Sequence, residues 1–424
     1  MSEIEVTDQA PVPPVIVQMH DGIICMADLT DGLRVWCTKD NGKMLAQMRF
    51  GSTARPHPTS LAIDAMPGNI SIKKIVVGFE DGSFGLYTLG AVCGELTHDY
   101  GHEPSVNGVV SSVAIAWPFL VIMTATQLLS LYRCDVTKPS MHNVDPPRLL
   151  HSLKSHTVWP PLTTSLRLSS TSIVVTIAYA VPTYLSGWTV GVQEVKLMNT
   201  GELTESRTTS AIDQHYRPLA FSASPVRSHL TTAPGSLATS TTLELRHIHA
   251  KPTSLSYTHP YLLVSHPDNT LTLYLVSSTA ETLSISAGSR LFGHTSSVSG
   301  AQVGNRGKAV SVSKRGDELR VWELEGGFAS SSARKRLASG NLSVRIRSEA
   351  QAPPAAKASQ AGLDLVNAAG DSKRQLTAEL QTSSDADEDE LTLTRGWIGF
   401  DEENVVVLKE QSQGRQALVV YDFT

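Results

Sequence analysis

Long helical runs of Leu, Ala, Glu and Lys are absent from this chain, and only 18% of its residues are charged. A Ser/Thr-rich chain of that kind leans towards β structure. Cysteine is scarce too. Cys25, Cys37, Cys93 and Cys134 are the only four in 424 residues, with no CxxC spacing. This excludes a disulfide-dense secreted scaffold and leads us to expect reduced thiols in a cytoplasmic and/or nuclear protein. Basic residues do not dominate: the formal charge is −5, which argues against nucleic acid as the main partner, because phosphate binding needs a concentrated basic face. The most apolar run, at 109–125, is interrupted by Pro118 and two serines. A membrane helix needs ~20 predominantly apolar residues, so this run reads as two adjoining buried strands and no membrane contact is expected. The opening residues, MSEIEVTDQAPVPP, lack the apolar core of a signal peptide. Phosphate-binding loops, a nucleophile elbow and a GxGxxG after a strand are all missing. His247 and His249 share a strand face but have no companion ligands in the sequence. We therefore expect no catalytic residue, no metal and no cofactor.

What the chain does have is a repeat. DGLRVW at 31–36 returns as DELRVW at 317–322. Looser copies, ending in tyrosine, are GSFGLY (82–87), QLLSLY (127–132), NTLTLY (269–274) and QALVVY (416–421). Each follows a short apolar run such as KIVVGF, FLVIMT, YLLVSH or NVVVLK, so each unit reads as a β-hairpin. Both faces of these hairpins are apolar, so each must be packed between neighbours. Trp36 to Tyr87 is 51 residues, Tyr87 to Tyr132 is 45, and Tyr274 to Trp322 is 48. Propeller blades repeat at about 40–45 residues plus loops. The gap between Tyr132 and Tyr274 leaves room for a degenerate unit at 171–197, making seven.

Segment 293–323 resembles a WD-repeat. Gly293 and His294 stand at the family's Gly-His, Trp322 at its tryptophan, and Asp317 at its turn acid, with Asp31 and Trp36 matching in the first copy. The resemblance implies that these are structural positions, with histidine, acid, a serine and tryptophan forming a hydrogen-bonded brace. Ser313 lies four residues before Asp317, and the residue two before it is Arg315, so the serine is unassigned. The stretch 251–327 and the last 27 residues look like the propeller of fungal F-box/WD-repeat proteins. The expected fold is thus an all-β, seven-bladed WD-repeat-type β-propeller with disordered insertions.

That resemblance implies a protein-protein interaction scaffold, the substrate-receptor propeller of an F-box-type ubiquitin ligase component. Its partner would be a protein or degradation substrate. No F-box is visible before the first blade, where Pro11 to Pro14 preclude a helix, so a Skp-type linker is expected only if an F-box lies upstream. An F-box-independent WD-repeat adaptor is the alternative, and an enzyme using the tunnel is the least favoured reading.

Residues 1–13 read as a flexible tail, of which SEIEV (2–6) is a candidate ring-closing strand for the last blade. A single propeller over 14–424 would carry insertions at about 205–250, where TLELRHIH reads as an extra strand, and at 348–392. NLSVRIR (341–347) reads as the outer strand of the sixth blade. ARKRLAS (333–339) reads as a basic nuclear-import patch, a basophilic phosphosite or a charged edge strand. Ser383 and Ser384 precede an acidic run and are candidate phosphosites, set against the reading of 382–390 as a solvated acidic stretch.

Overall fold

The structure is a computed structural model. It describes residues 15–38, 43–51, 56–64, 72–90, 94–134, 146–183, 187–211, 221–225, 241–245, 250–304, 306–314, 318–324, 343–346, 376–379, 393–410 and 416–422. Among them there is no helix. Seven antiparallel sheets follow one another along the chain, as blades spanning 16–48, 58–102, 110–154, 159–210, 254–291, 298–346 and 376–422. Their innermost strands are Ile16–His20, Pro58–Ile63, Val110–Ala116, Trp159–Leu168, Ser254–Thr258, Val298–Val303 and Leu393–Phe400. Each packs on the next, and the last returns to the first, so the ring is closed.

The two-sided hairpins explain the ring. In the second strand of blade 1, Ile24 and Met26 face blade 7, whereas Cys25 and Ala27 face blade 2. Successive side chains of a strand point to opposite faces, so an unbroken apolar run supplies two interfaces at once. Each of the seven junctions between blades holds one apolar cluster. The repeated aromatics all pack towards the preceding blade: Trp36 on blade 7, Tyr87 on blade 1, Tyr132 on blade 2, Tyr274 on blade 4, Trp322 on blade 5 and Tyr421 on blade 6. In the degenerate fourth blade, Val195 and Leu197 do this work against blade 3.

In blades 2 and 5 the turn between second and third strands is closed by an aspartate. Asp81 Oδ1 accepts from the Ser83 N–H at 2.9 Å and its hydroxyl at 2.6 Å. Asp268 Oδ1 does the same for Thr270, at 2.9 and 2.6 Å. Asp268→Ala should destabilise by about 1 kcal/mol, the worth of such bonds at a half-exposed turn; the midpoint of urea unfolding measures it. In blade 1 the turn needs Gly32, at φ +82°, because a Cβ there would lie 2.2 Å from the Met48 carbonyl oxygen.

Four boundaries differ from the sequence expectation. The fourth blade runs over 159–210 rather than 171–197, and its outer strand, Leu203–Ser210, takes up the start of the expected 205–250 insertion. Within the rest of that insertion, Phe221–Pro225 pairs with Thr241–Leu245, which includes part of the expected extra strand. The 348–392 insertion contains the strand Leu376–Glu379, paired antiparallel with Gln416–Asp422. This strand fills the outer place of blade 7, for which residues 2–6 were the candidate. The N-terminal tail lies outside the described residues, as do 333–339, Ser383 and Ser384. The apolar run at 109–125 forms Val110–Ala116 and Phe119–Thr124, an antiparallel pair as expected. The outer strand of blade 6 is Ser343–Ile346, also as read.

Candidate functional site

The WD-repeat residues of blade 6 converge on one serine, and it is Ser311. Its hydroxyl accepts from Trp322 Nε1 at 2.8 Å and meets His294 Nε2 at 2.6 Å. The carboxylate that completes the group is Glu318, one residue beyond Asp317, which lies outside the described residues. Glu318 Oε2 accepts from the Thr295 N–H and hydroxyl at 2.8 and 3.0 Å, and Oε1 from Arg320 Nε at 2.9 Å. His294 Nδ1 stands 3.6 Å from Glu318 Oε2, an electrostatic rather than a hydrogen-bonded separation. Ser313, the nearer serine in sequence, instead accepts from the Glu318 N–H at 3.2 Å. Gly293 lets Arg320 approach, since a Cβ would sit 2.9 Å from its Nη1.

His294, Ser311, Glu318 and Trp322 are all buried. Burial holds His294 down to about 4, against the pull of Glu318, so the imidazole is neutral at physiological pH. The Glu318 carboxyl is held low; burial acts against this, but the bonds from Thr295 and Arg320 outweigh it. The group braces the blade and presents nothing to solvent.

Blade 1 is built differently. Asp28, rather than Asp31, closes the turn, accepting from the N–H groups of Thr30 and Asp31 at 2.8 and 2.6 Å. The correction is geometric: Asp28 ends the second strand and points into the turn, while the Asp31 carboxylate pairs with Arg34 at 3.1 Å. Arg34 also bonds Asp28, and its guanidinium lies 5.5 Å from the Trp36 ring. The described candidates thus make contacts within blades 1 and 6 or against the preceding blade.

Chemistry open to solvent lies elsewhere, where blades 4 and 5 meet. A cleft of about 410 Å³ opens there, on the face carrying the turns between first and second and between third and fourth strands. At its base Glu194, 2% exposed, accepts from Arg167 at 2.6 Å, Arg207 at 3.2 Å and the Ser278 hydroxyl of blade 5 at 2.6 Å. Arg207 Nη1 also donates to the Thr279 carbonyl at 2.9 Å. Beside the cluster, burial, reinforced by Arg167, holds His259 below its ordinary range. Nothing in the periodicity marked these residues, because charges on strands read as solvated positions. The visible signal was the ExK pattern at 194–196 inside an otherwise apolar strand, too common to single out. Among the described residues, no group of three or more His, Cys, Asp or Glu is placed to hold a metal ion.

Over 64 residues the chain is 42% identical to the F-box protein pof12 of Schizosaccharomyces pombe (strain 972 / ATCC 24843), a match covering 15% of this chain and 14% of that protein. Solved structures of similar outline include U3-55K (TM-score 0.46, 11% identity, 96% of this chain and 98% of that one). The WD40 propeller domain of Doa1 has TM-score 0.40 at 12% identity, covering 96% and 91%. The propeller domain of Myceliophteria_thermophila Cps50 (Swd1) has TM-score 0.43 at 10% identity, covering 97% and 100%. The family model described as the F-box protein pof12 beta-propeller matches residues 1–424, and the chain belongs to that family.

Proposed function

We propose that this propeller is a protein-binding receptor that holds a degradation substrate for an F-box-type ubiquitin ligase. Membership of the pof12 propeller family supports the ligase context. One structural observation carries the binding role: the repeat's polar groups are used up in bracing, which leaves the turns and inter-blade links as the surface that can vary. A rigid ring with variable loops is suited to recognition, although a fold alone does not define a function. Affinity capture from cells with the proteasome blocked tests the proposal. Substrates that accumulate under the block are the expected result, joined by a Skp-type linker if an F-box lies upstream. A partner set lacking the linker would favour an adaptor in another complex, and recovery of no protein partner would overturn the receptor reading.

A further inference from the structure

We propose that Asn107 is a self-modifying site: in the folded protein its side-chain amide is displaced by the main-chain nitrogen of Gly108, promoted by the hydroxyls of Ser105 and Thr126. The reaction needs only this chain and water, so it stands apart from the receptor reading above.

Asn107 and Gly108 lie in the link between blades 2 and 3, on the face carrying the turns between second and third strands. Asn107 is exposed, and Val106 beside it is fully exposed. Ser105 organises the link. Its N–H donates to the Asp81 carbonyl in the blade 2 turn at 3.0 Å. Its Oγ accepts from the Asn107 N–H at 3.2 Å and from Asn107 Nδ2 at 2.8 Å, while its carbonyl faces the Gly108 N–H at 3.4 Å. The side-chain amide and the Gly108 nitrogen are thus gathered by one residue. A contact of 3.4 Å is longer than an ordinary N–H···O bond, so the Gly108 nitrogen is lightly held. Gly108, at φ +80°, carries no Cβ to crowd that nitrogen. From the blade 3 turn, the Thr126 hydroxyl donates to the Asn107 carbonyl at 2.5 Å.

These contacts match what ring closure demands. Base removes the Gly108 N–H proton, and the charge left behind is shared with the Asn107 carbonyl oxygen, where the Thr126 hydroxyl is already placed to stabilise it. The nitrogen attacks Asn107 Cγ and forms a new C–N bond. The bond from Cγ to Nδ2 breaks, Nδ2 takes up a proton with the Ser105 hydroxyl in contact to supply it, and ammonia leaves behind a succinimide. Water then opens the ring, at Cγ to give aspartate or at the main-chain carbonyl carbon to give isoaspartate. Either product adds a carboxylate to this face, and isoaspartate also lengthens the main chain by one carbon. The face therefore gains charge with the age of the folded chain. Asn269 supplies the contrast. It is exposed too, but the next residue is Thr270, β-branched, with its N–H held by Asp268 Oδ1 at 2.9 Å. The other Asn-Gly pair, Asn41–Gly42, lies outside the described residues.

The test incubates the intact protein in mildly alkaline buffer, with and without urea, and follows its proteolytic peptides by mass spectrometry. In the folded protein, Asn107 should show a time-dependent gain in mass from amide to acid, faster at higher pH, and Asn269 should show none. Fragmentation that separates aspartate from isoaspartate should find both at position 107. Thr126→Val should slow the conversion roughly tenfold, the worth of one hydrogen bond to a charged group. The melting curve shows whether that variant folds, and Asn107→Gln, whose ring would be larger, should stay unmodified on an intact Thr126. An unchanged mass at Asn107 or equal conversion of Asn107 and Asn269 would overturn the proposal. So would faster conversion in urea than in the folded protein, or a folded Thr126→Val variant that converts at the wild-type rate.

Discussion

Trp322→Ala is expected to destabilise the propeller by about 4 kcal/mol, within the ~3–5 kcal/mol range for truncating a buried aromatic. Trp322 is 1% exposed and lies in the cluster that joins blades 5 and 6, against Leu263, Leu271 and Leu273. Its removal opens a cavity there and takes away the N–H that Ser311 accepts. At an unfolding entropy of about 2.1 cal/mol/K per residue, this corresponds to a fall of roughly 5 °C in Tm for a chain of this size. Trp322→Phe separates the two contributions. It keeps much of the apolar contact but loses the donor and part of the ring, so about 1–2 kcal/mol should go. Calorimetry on both variants checks this. A Trp322→Ala protein melting within a degree of wild type would show that the brace contributes little.

Acid should weaken the same brace. The folded protein holds His294 at about 4, whereas an unfolded histidine titrates near 6.5. Between those values the unfolded chain binds the extra proton, so stability falls as pH falls. The contribution is fully present above pH 6.5 and is lost progressively towards pH 4. A shift of that size amounts to about 3 kcal/mol. The charges facing the ring oppose one another: Glu318 favours the imidazolium, and Arg320 and Arg345 disfavour it. Burial decides the outcome. Other histidines held low, His20 and His259, titrate in the same direction, so the diagnostic quantity is a difference. Urea unfolding of wild type and His294→Gln from pH 7.5 to 4.5 should show a shallower pH dependence in the variant. Parallel curves would mean that His294 is not the group responsible. Glu318, also held low, adds its own loss at the acid end of the range.

The second and third strands of the blades were legible in the sequence because they obey one physical rule. Runs such as FLVIMT and NVVVLK are apolar on both faces since each strand lies between two blades, and the aromatic five places after the turn always packs on the preceding blade. Outside blade 6, whose outer strand was read in NLSVRIR, the outer strands were not legible. Leu203–Ser210, LTESRTTS, is largely solvent-facing, so its side chains need no apolar alternation and it read as part of an insertion. Leu376–Glu379 was hidden as well, because its place is set by pairing with Gln416–Asp422 rather than by a pattern of its own.

The sequence by itself determined the number of blades, their order and which aromatics join them, because burial on two faces imposes a periodicity that the chain must carry locally. Only the tertiary structure decided which polar residues act together. Ser311 rather than Ser313, Glu318 at the turn, Asp28 rather than Asp31, and the Arg167–Glu194–Arg207 cluster all depend on register between strands. A shift of one residue turns a side chain to the opposite face, so hydrogen-bond partners far apart in the chain are set by pairing and packing, not by spacing along the sequence.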